Sequence, residues 1–336
     1  MNKFYKRILK ENFPYIVAEI GSNHNGSLKL GQKMILAAKK AGADCVKFQS
    51  WSKDSLYSKK VYSNDKKLEK TIDKLAVTEN LLIKFYKYSK KIGIDFTSTP
   101  FSKTEVDFLI KKVKVPFVKI ASMDLVNLDL IEHVAKRNIP IVISNGLSEI
   151  YEIDKTIKLI EKYHKQIIIL HCVASYPTSE EKINLNNIDT LSKIYPYPIG
   201  FSDHSLGFAI PIASVVKGVK LIEKHFTIDK KLDGWDQSIS ADPHELKIIC
   251  DETKKVYKSL GTQYIKPFEE KNKKNIFRRS IVLTKNISKG TILNKNLIVG
   301  KRPGDGIPIQ KINDVINRKT KRDIKANTQL KWSDLE

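Results

Sequence analysis

The 336-residue chain has only three cysteines, Cys45, Cys172 and Cys250, which are far apart in sequence. That number and spacing exclude a disulfide framework and a zinc-spaced cluster. The cytoplasm is therefore the simplest expected location. Nowhere do eighteen apolar residues run together, so no membrane span is expected. The opening stretch MNKFYKRILKENFPYIVAEIG is basic, with no continuous apolar core and no small-residue cleavage site, so it does not read as a signal peptide. Acidic residues are few, with 37 Asp and Glu against 60 Lys and Arg, for a net charge of +23. The lysines are scattered over helix-like segments, and no basic stripe is interleaved with aromatics. A nucleic-acid-binding protein, whose affinity would fall steeply with salt, is therefore the weaker reading. Mild steering of an anionic substrate is the use this charge suggests.

What is present is a repeating alternation between about residues 15 and 261. Short β-branched apolar runs are each followed by an amphipathic helical stretch, eight times over. The runs are YIVAEIG (15–21), CVKFQS (45–50), DFTSTP (95–100), FVKIASM (117–123), PIVISNG (140–146), IIILHCVA (167–174), PIGFSDHS (198–205) and LIEKHFTID (221–229). Between them lie helical patterns such as LKLGQKMILAAKKAG, ENLLIKFYKYSKKIG and YEIDKTIKLIEKYH, and HELKIICDETKKVYKSLG closes the series. Runs buried on both faces and separated by helices predict a parallel sheet. Eight units in this length predict a (β/α)8 TIM barrel. A doubly wound open sheet is the alternative, and it would carry a glycine-rich phosphate turn after its first strand. GSNHNG stands there instead.

The predicted organisation is a catalytic barrel over 1–262, a charged linker over 263–276 within YIKPFEEKNKKNIFRR, and a small β-rich domain over 277–336. The last has short strands separated by Gly and Asn turns and is small enough to lean on a neighbour.

Polar residues collect where the runs end: Glu19, Lys47, Gln49, Thr99, Lys119, Ser122, Ser144, Ser202, His204 and His225. In a barrel, strand C-termini build the active site. His204 and His225 close adjacent strands. They could converge on one Mn, Zn or Fe ion with open positions for water or substrate, or be two hydrogen-bonded core histidines. His24, in the first loop, is placed to line the site. His171, inside a strand, reads as a satisfied core residue, and His133, His164 and His244 read as solvated. Lys47 and Lys119 are costly within apolar strands unless paired. They could clamp phosphate or carboxylate with the surrounding hydroxyls, or one could be a Schiff-base nucleophile, or Lys47 could simply pair with Glu19. Glu19 is a candidate general acid or base. Asp236, in LDGWDQSISADP, could bind sugar hydroxyls or be a turn residue beside Gly234.

An ordered set of segments resembles the sialic acid synthase family, which includes the N-acetylneuraminate, legionaminic and pseudaminic acid synthases. The segments are AEIGSNHNG, AGADCVKFQ, STPF, KIAS, SNG, HCVASYPT, GFSDHS, EKHFT and KRPGDGI, in the family's order from end to end. The resemblance implies condensation of phosphoenolpyruvate with an N-acetylmannosamine-type sugar aldehyde, with release of phosphate. It implies a divalent ion, usually manganese with magnesium or cobalt as alternatives, on His204 and His225. It further implies a phosphoenolpyruvate site of Lys47, Lys119, Ser122, Ser144 and Ser202, and proton management by Glu19. On the sugar side it implies Gln49, Thr99, Phe101, Asp124, Tyr176, Asp236 and Arg302. The C-terminal unit resembles an antifreeze-like SAF domain that, in family dimers, caps the partner's barrel and contributes the arginine matched by Arg302. Ala174 stands where many family members carry asparagine, Asp124 is one methylene shorter than the usual glutamate, and Gly234-Trp235-Asp236-Gln237 replaces Gly-Pro-Asp-His. These departures bear on which sugar is used, and a 2,4-diacetamido-trideoxyhexose is the alternative. A lysine-dependent pyruvate aldolase is the alternative chemistry.

Overall fold

The computed structural model describes residues 1–265 and 268–336. Residues 266 and 267, within the expected linker, lie outside the described residues. The chain divides into two compact units, Met1–Gly261 and Thr262–Glu336.

The first unit is the expected barrel. Its strands are β1 (Tyr15–Gly21), β2 (Cys45–Ser50), β3 (Asp95–Pro100), β4 (Val118–Ile120), β5 (Ile141–Ser144), β6 (Ile167–Cys172), β7 (Ile199–Asp203) and β8 (Leu221–His225). All neighbouring pairs are parallel, in the order β3-β2-β1-β8-β7-β6-β5-β4. β3 and β4 flank the seam, which the Thr97 hydroxyl bridges by donating to the Phe117 carbonyl at 2.7 Å.

Strand alternation explains how one sequence serves two cores. Ile16, Ala18 and Ile20 point outward to the helices, in the large apolar layer with Val46, Phe48, Ile141 and Ile143. Tyr15, Val17, Cys45, Val142, Ile168, Leu170 and Leu221 point inward and fill the lower barrel. Gly200 takes its inward place there because a Cβ would lie 2.5 Å from both Leu170 and the Leu221 carbonyl. A helix not anticipated from the sequence, α1 (Lys3–Lys10), plugs the bottom of the barrel. Asn2 caps it, and Phe4, Tyr5 and Ile8 are buried. Phe4 stacks on Phe117 with ring centroids 4.3 Å apart. The inward positions nearer the strand C-termini are polar, so the filled lower barrel forms the floor of a cleft.

The C-terminal unit packs Ile281, Leu283, Leu293, Leu297, Ile298, Ile307, Val315, Leu330 and Leu335 into its own core. Its strands β9 (Ser280–Leu283) and β10 (Ile298–Lys301) are antiparallel, and isolated bridges tie the remaining loops. A helix, Lys271–Phe277, takes up the end of the expected linker and the first residue of the expected small domain.

Candidate active site

The period of two that fills the lower barrel also brings Glu19, Lys47, Thr99, Lys119, Ser144, Ser202, Glu223 and His225 together at its C-terminal end. With Gln49, Phe101, Ser122, Tyr176, His204 and Asp236 they line one cleft.

Its floor is a buried ionic cluster. Lys47 Nζ lies 2.8 Å from Glu19 Oε2 and 3.7 Å from Glu223 Oε2, and it donates to Thr99 Oγ1 at 3.0 Å. Lys119 Nζ donates to Ser144 Oγ at 2.7 Å and to the Ile120 carbonyl at 3.0 Å. It lies 3.9 Å from Glu223 Oε1. Ser202 donates to Glu223 at 3.1 Å, and Gln49 to Glu19 at 3.0 Å. Burial drives the Glu19 carboxyl up to about 7, against the pull of Lys47. Burial also pushes Glu223 up, but Lys119 and Lys47 outweigh it and hold that carboxyl below the ordinary range. Burial lowers Lys119, while the two glutamates leave Lys47 raised. Near neutrality the floor therefore holds two ammonium groups, one firm carboxylate and one carboxyl poised to gain or lose a proton. It has an excess of positive charge ready for an anion.

The histidines form one wall. The rings of His204 and His225 lie 5.3 Å apart between centroids, and Tyr176 packs 4.2 Å from His204. Burial pushes His204 down to about 4 and His225 down to about 3, so both rings are neutral at physiological pH. His204 Nδ1 is 2.8 Å from the Val173 carbonyl. With a proton on Nδ1 it donates there, and Nε2 keeps a free lone pair. His225 Nδ1 is buried without a hydrogen-bond partner, and Asp236 Oδ2 lies 3.5 Å away. Two neutral, converging imidazoles fit a divalent ion as donors. Among the described residues no group of three or more His, Cys, Asp or Glu is placed to hold one. Water or substrate would have to complete the shell.

The remaining lining is largely apolar: Trp51, Leu56, Tyr57, Ala121, Met123, Cys172 and Trp235. Trp51 and Trp235 stack at 6.1 Å. The loop after β8 that carries Trp235 and Asp236 is held by the first loop. Gln237 donates to the Asn23 carbonyl at 2.9 Å and accepts from the Thr227 hydroxyl, while Asn25 donates to the Asp233 carbonyl at 2.7 Å.

Some expected residues sit elsewhere. His24 does not line the cleft. It is buried against Phe48 and Phe85 at 5.9 and 5.3 Å, because the GSNHNG turn folds its ring into the outer core. His171 is a core residue, with Nε2 2.6 Å from the Ile183 carbonyl. His133 and His164 are half-buried rather than solvated, His133 against Asp107 at 3.0 Å, and His244 is exposed. Asp124 lies one residue beyond the lining Met123, and its carboxylate accepts from Asn127 at 3.1 Å. Arg302 belongs to the C-terminal unit, where its guanidinium lies 5.2 Å over the Phe277 ring.

Sequence reasoning passed over Glu223. The signal was available, because Glu223 stands two residues before His225 on one strand and so shares its face. Trp51 and Tyr57 come from loops, and Leu56 and Met123 from single helical turns, Lys53–Leu56 and Ser122–Asp124, too short for periodicity to mark direction.

Residues 34–264 match the NeuB family and residues 278–336 the SAF domain. A Methanocaldococcus jannaschii protein, MJ1065, is 42% identical, covering 96% of this chain and 94% of its own length. The N,N'-diacetyllegionaminic acid synthase of Legionella pneumophila is 33% identical over 96% of this chain and 94% of that protein. The structure of the N-acetylneuraminic acid synthetase of Leptospira borgpetersenii, in complex with citrate, superposes with a TM-score of 0.71 at 35% identity. That superposition covers 78% of this chain and 90% of the other.

Proposed function

This chain belongs to the NeuB family of sialic acid synthases, and on that premise we propose that it condenses phosphoenolpyruvate with the open-chain aldehyde of an N-acetylmannosamine-type amino sugar. The observation that carries this reading is the cleft floor, where Lys47 and Lys119 share the single firm carboxylate of Glu223. A phosphate ester next to a carboxylate matches that excess of charge, and the hydroxyls of Thr99, Ser122, Ser144 and Ser202 offer further donors. In the reaction, C3 of phosphoenolpyruvate bonds to the aldehyde carbon as the C=O π pair moves onto oxygen, which takes up a proton. Water adds at the cationic C2, and the C2–O bond to phosphate breaks as the added hydroxyl becomes the C2 ketone and its last proton leaves with the phosphate. Glu19, poised near neutrality, takes the proton of the adding water. A divalent ion on His204 and His225, manganese by preference, would polarise the aldehyde as a Lewis acid. Gln49, Tyr176 and Asp236 would meet the sugar's polar groups. In a homodimer, Arg302 of the SAF unit would complete the partner's site.

The apolar wall of Trp51, Leu56, Met123 and Trp235 favours, among such sugars, a 2,4-diacetamido-trideoxyhexose with a methyl in place of a hydroxymethyl. The lowered Lys119 is what would favour a Schiff-base aldolase instead. Borohydride trapping with pyruvate would then label the chain.

The test is phosphate release from phosphoenolpyruvate with Mn2+, against N-acetylmannosamine, its 6-phosphate and the two 2,4-diacetamido-trideoxy sugars. Release with one sugar, abolished by EDTA and by His225→Ala, is the expected result. Folded protein that releases none with any sugar contradicts the reading.

A further inference from the structure

We propose that Lys224 and Asp203 are positioning residues that set the spacing of His204 and His225 for a shared divalent cation, a role that rests on the metal reading above. In the register of β7 with β8, Ser202 stands opposite Glu223 and Asp203 opposite Lys224. The first pair faces into the barrel and closes with the 3.1 Å Ser202–Glu223 hydrogen bond. The second faces outward, where Lys224 Nζ meets Asp203 Oδ2 at 2.7 Å with both side chains at most 1% exposed. The next residue in each case is a histidine, His204 just past the end of β7 and His225 at the end of β8.

Lys224 reaches past its partner. Its Nζ also donates to the Ser205 carbonyl, and Asp203 Oδ1 accepts from the Ser205 N–H at 2.9 Å. His204 is thus flanked on both sides by residues bonded to one ammonium, and that ammonium belongs to the residue next to His225. The Tyr176 ring touches both imidazoles, at 4.2 and 6.0 Å, but the other hydrogen bonds of the two histidine segments lead away from each other. His204 is held toward β6 through the Val173 carbonyl, and its own carbonyl accepts from Thr178 N–H at 3.0 Å. On the far side of β8, Phe226 N–H donates to the Glu19 carbonyl and Ala241 N–H to the His225 carbonyl, each at 2.7 Å. On the outward side of the β7–β8 pair, the Lys224 network joins the two halves behind the imidazoles.

A buried ion pair stabilises little over well-packed apolar residues, so its value lies in geometry. A site with two protein ligands has a single ligand–ligand spacing to control, and residues that orient ligands typically change metal affinity when removed.

The experiment measures Mn2+ binding by the paramagnetic resonance signal of the free ion. It compares wild type, His225→Ala and the double variant Asp203→Leu/Lys224→Met, which removes both charges and leaves neither orphaned. The double variant is expected to melt cooperatively and to bind phosphoenolpyruvate without metal as wild type does. It should bind Mn2+ about 10- to 100-fold more weakly, with turnover restored by excess Mn2+. A folded double variant with wild-type Mn2+ affinity overturns the proposal. If the double variant does not fold, Asp203→Asn takes its place; weaker Mn2+ binding is again expected, and unchanged binding again overturns the role. Wild type that binds no Mn2+ removable by His225→Ala overturns the metal reading itself, and this proposal with it.

Discussion

An ammonium group at the closed end of a barrel cleft costs several kcal/mol in lost hydration unless it is paired. Lys47 meets that cost with Glu19, Glu223 and Thr99. Lys119 has hydroxyl and carbonyl acceptors with a more distant carboxylate, which suits a group waiting for an anionic ligand. Lys47→Met strips the pair and is expected to cost about 2–5 kcal/mol in kcat/KM for phosphoenolpyruvate, as initial rates across phosphoenolpyruvate concentrations would show. Glu19 governs the pH response. Its folded carboxyl holds a proton up to about 7, against 4.5 for an ordinary glutamate. As the base for water addition it acts only when ionised, so kcat should rise through pH 7. Glu19→Gln should abolish that limb and lower kcat by about 10²–10⁴-fold. The same shift has a stability consequence with a definite sign. The folded state binds the extra proton, so stability falls as pH climbs from 4.5 to about 7. Urea titrations of Glu19→Gln across that window should show the slope reduced.

At the scale of elements, the loop after β8 is steered by Gln237, which clasps Asn23 and Thr227. Gln237→Ala frees the segment of Trp235 and Asp236, and the sugar KM should rise about tenfold, the price of roughly one such buried hydrogen bond. The KM for phosphoenolpyruvate should stay constant, and steady-state kinetics with each substrate varied separately distinguish the two. The strands themselves were plain in the sequence because short, largely β-branched or apolar runs recur eight times between helical stretches. YIVAEIG, CVKFQS and DFTSTP match β1, β2 and β3 residue for residue. FVKIASM shortens to Val118–Ile120 because Ser122–Asp124 turns into a 3-10 helix. The floor of the site was legible for the same reason as the strands, since polar residues at inward positions break an apolar pattern. Glu223 carries the same signal, since it stands two residues before His225 and shares its inward face. Of the apolar wall only Trp235 stood out, as a departure from the family's pattern, because Trp51 follows the end of β2 and Met123 lies in a short 3-10 helix, where no periodicity marks direction. α1 escaped notice too. Eight residues are too few to stand as a helix alone, and it forms where Phe4, Tyr5 and Ile8 find the barrel floor.

For the whole molecule, the proposed homodimer gives each SAF unit a catalytic part through Arg302. Mixing refolded His225→Ala chains with Arg302→Ala chains should restore phosphate release above either alone, because a mixed dimer holds one site with both residues intact. No recovery in confirmed mixed dimers would show that Arg302 serves its own chain or none. In the proposed reaction two buried lysines hold phosphoenolpyruvate for carbon–carbon bond formation followed by C–O cleavage. It is tested most directly with phosphoenolpyruvate carrying 18O at the oxygen that bridges C2 and phosphorus, by weighing the phosphate released in the presence of the accepted sugar. C–O cleavage sends the label out with the phosphate. Phosphate released without the label would mean that the P–O bond breaks instead, and would contradict it.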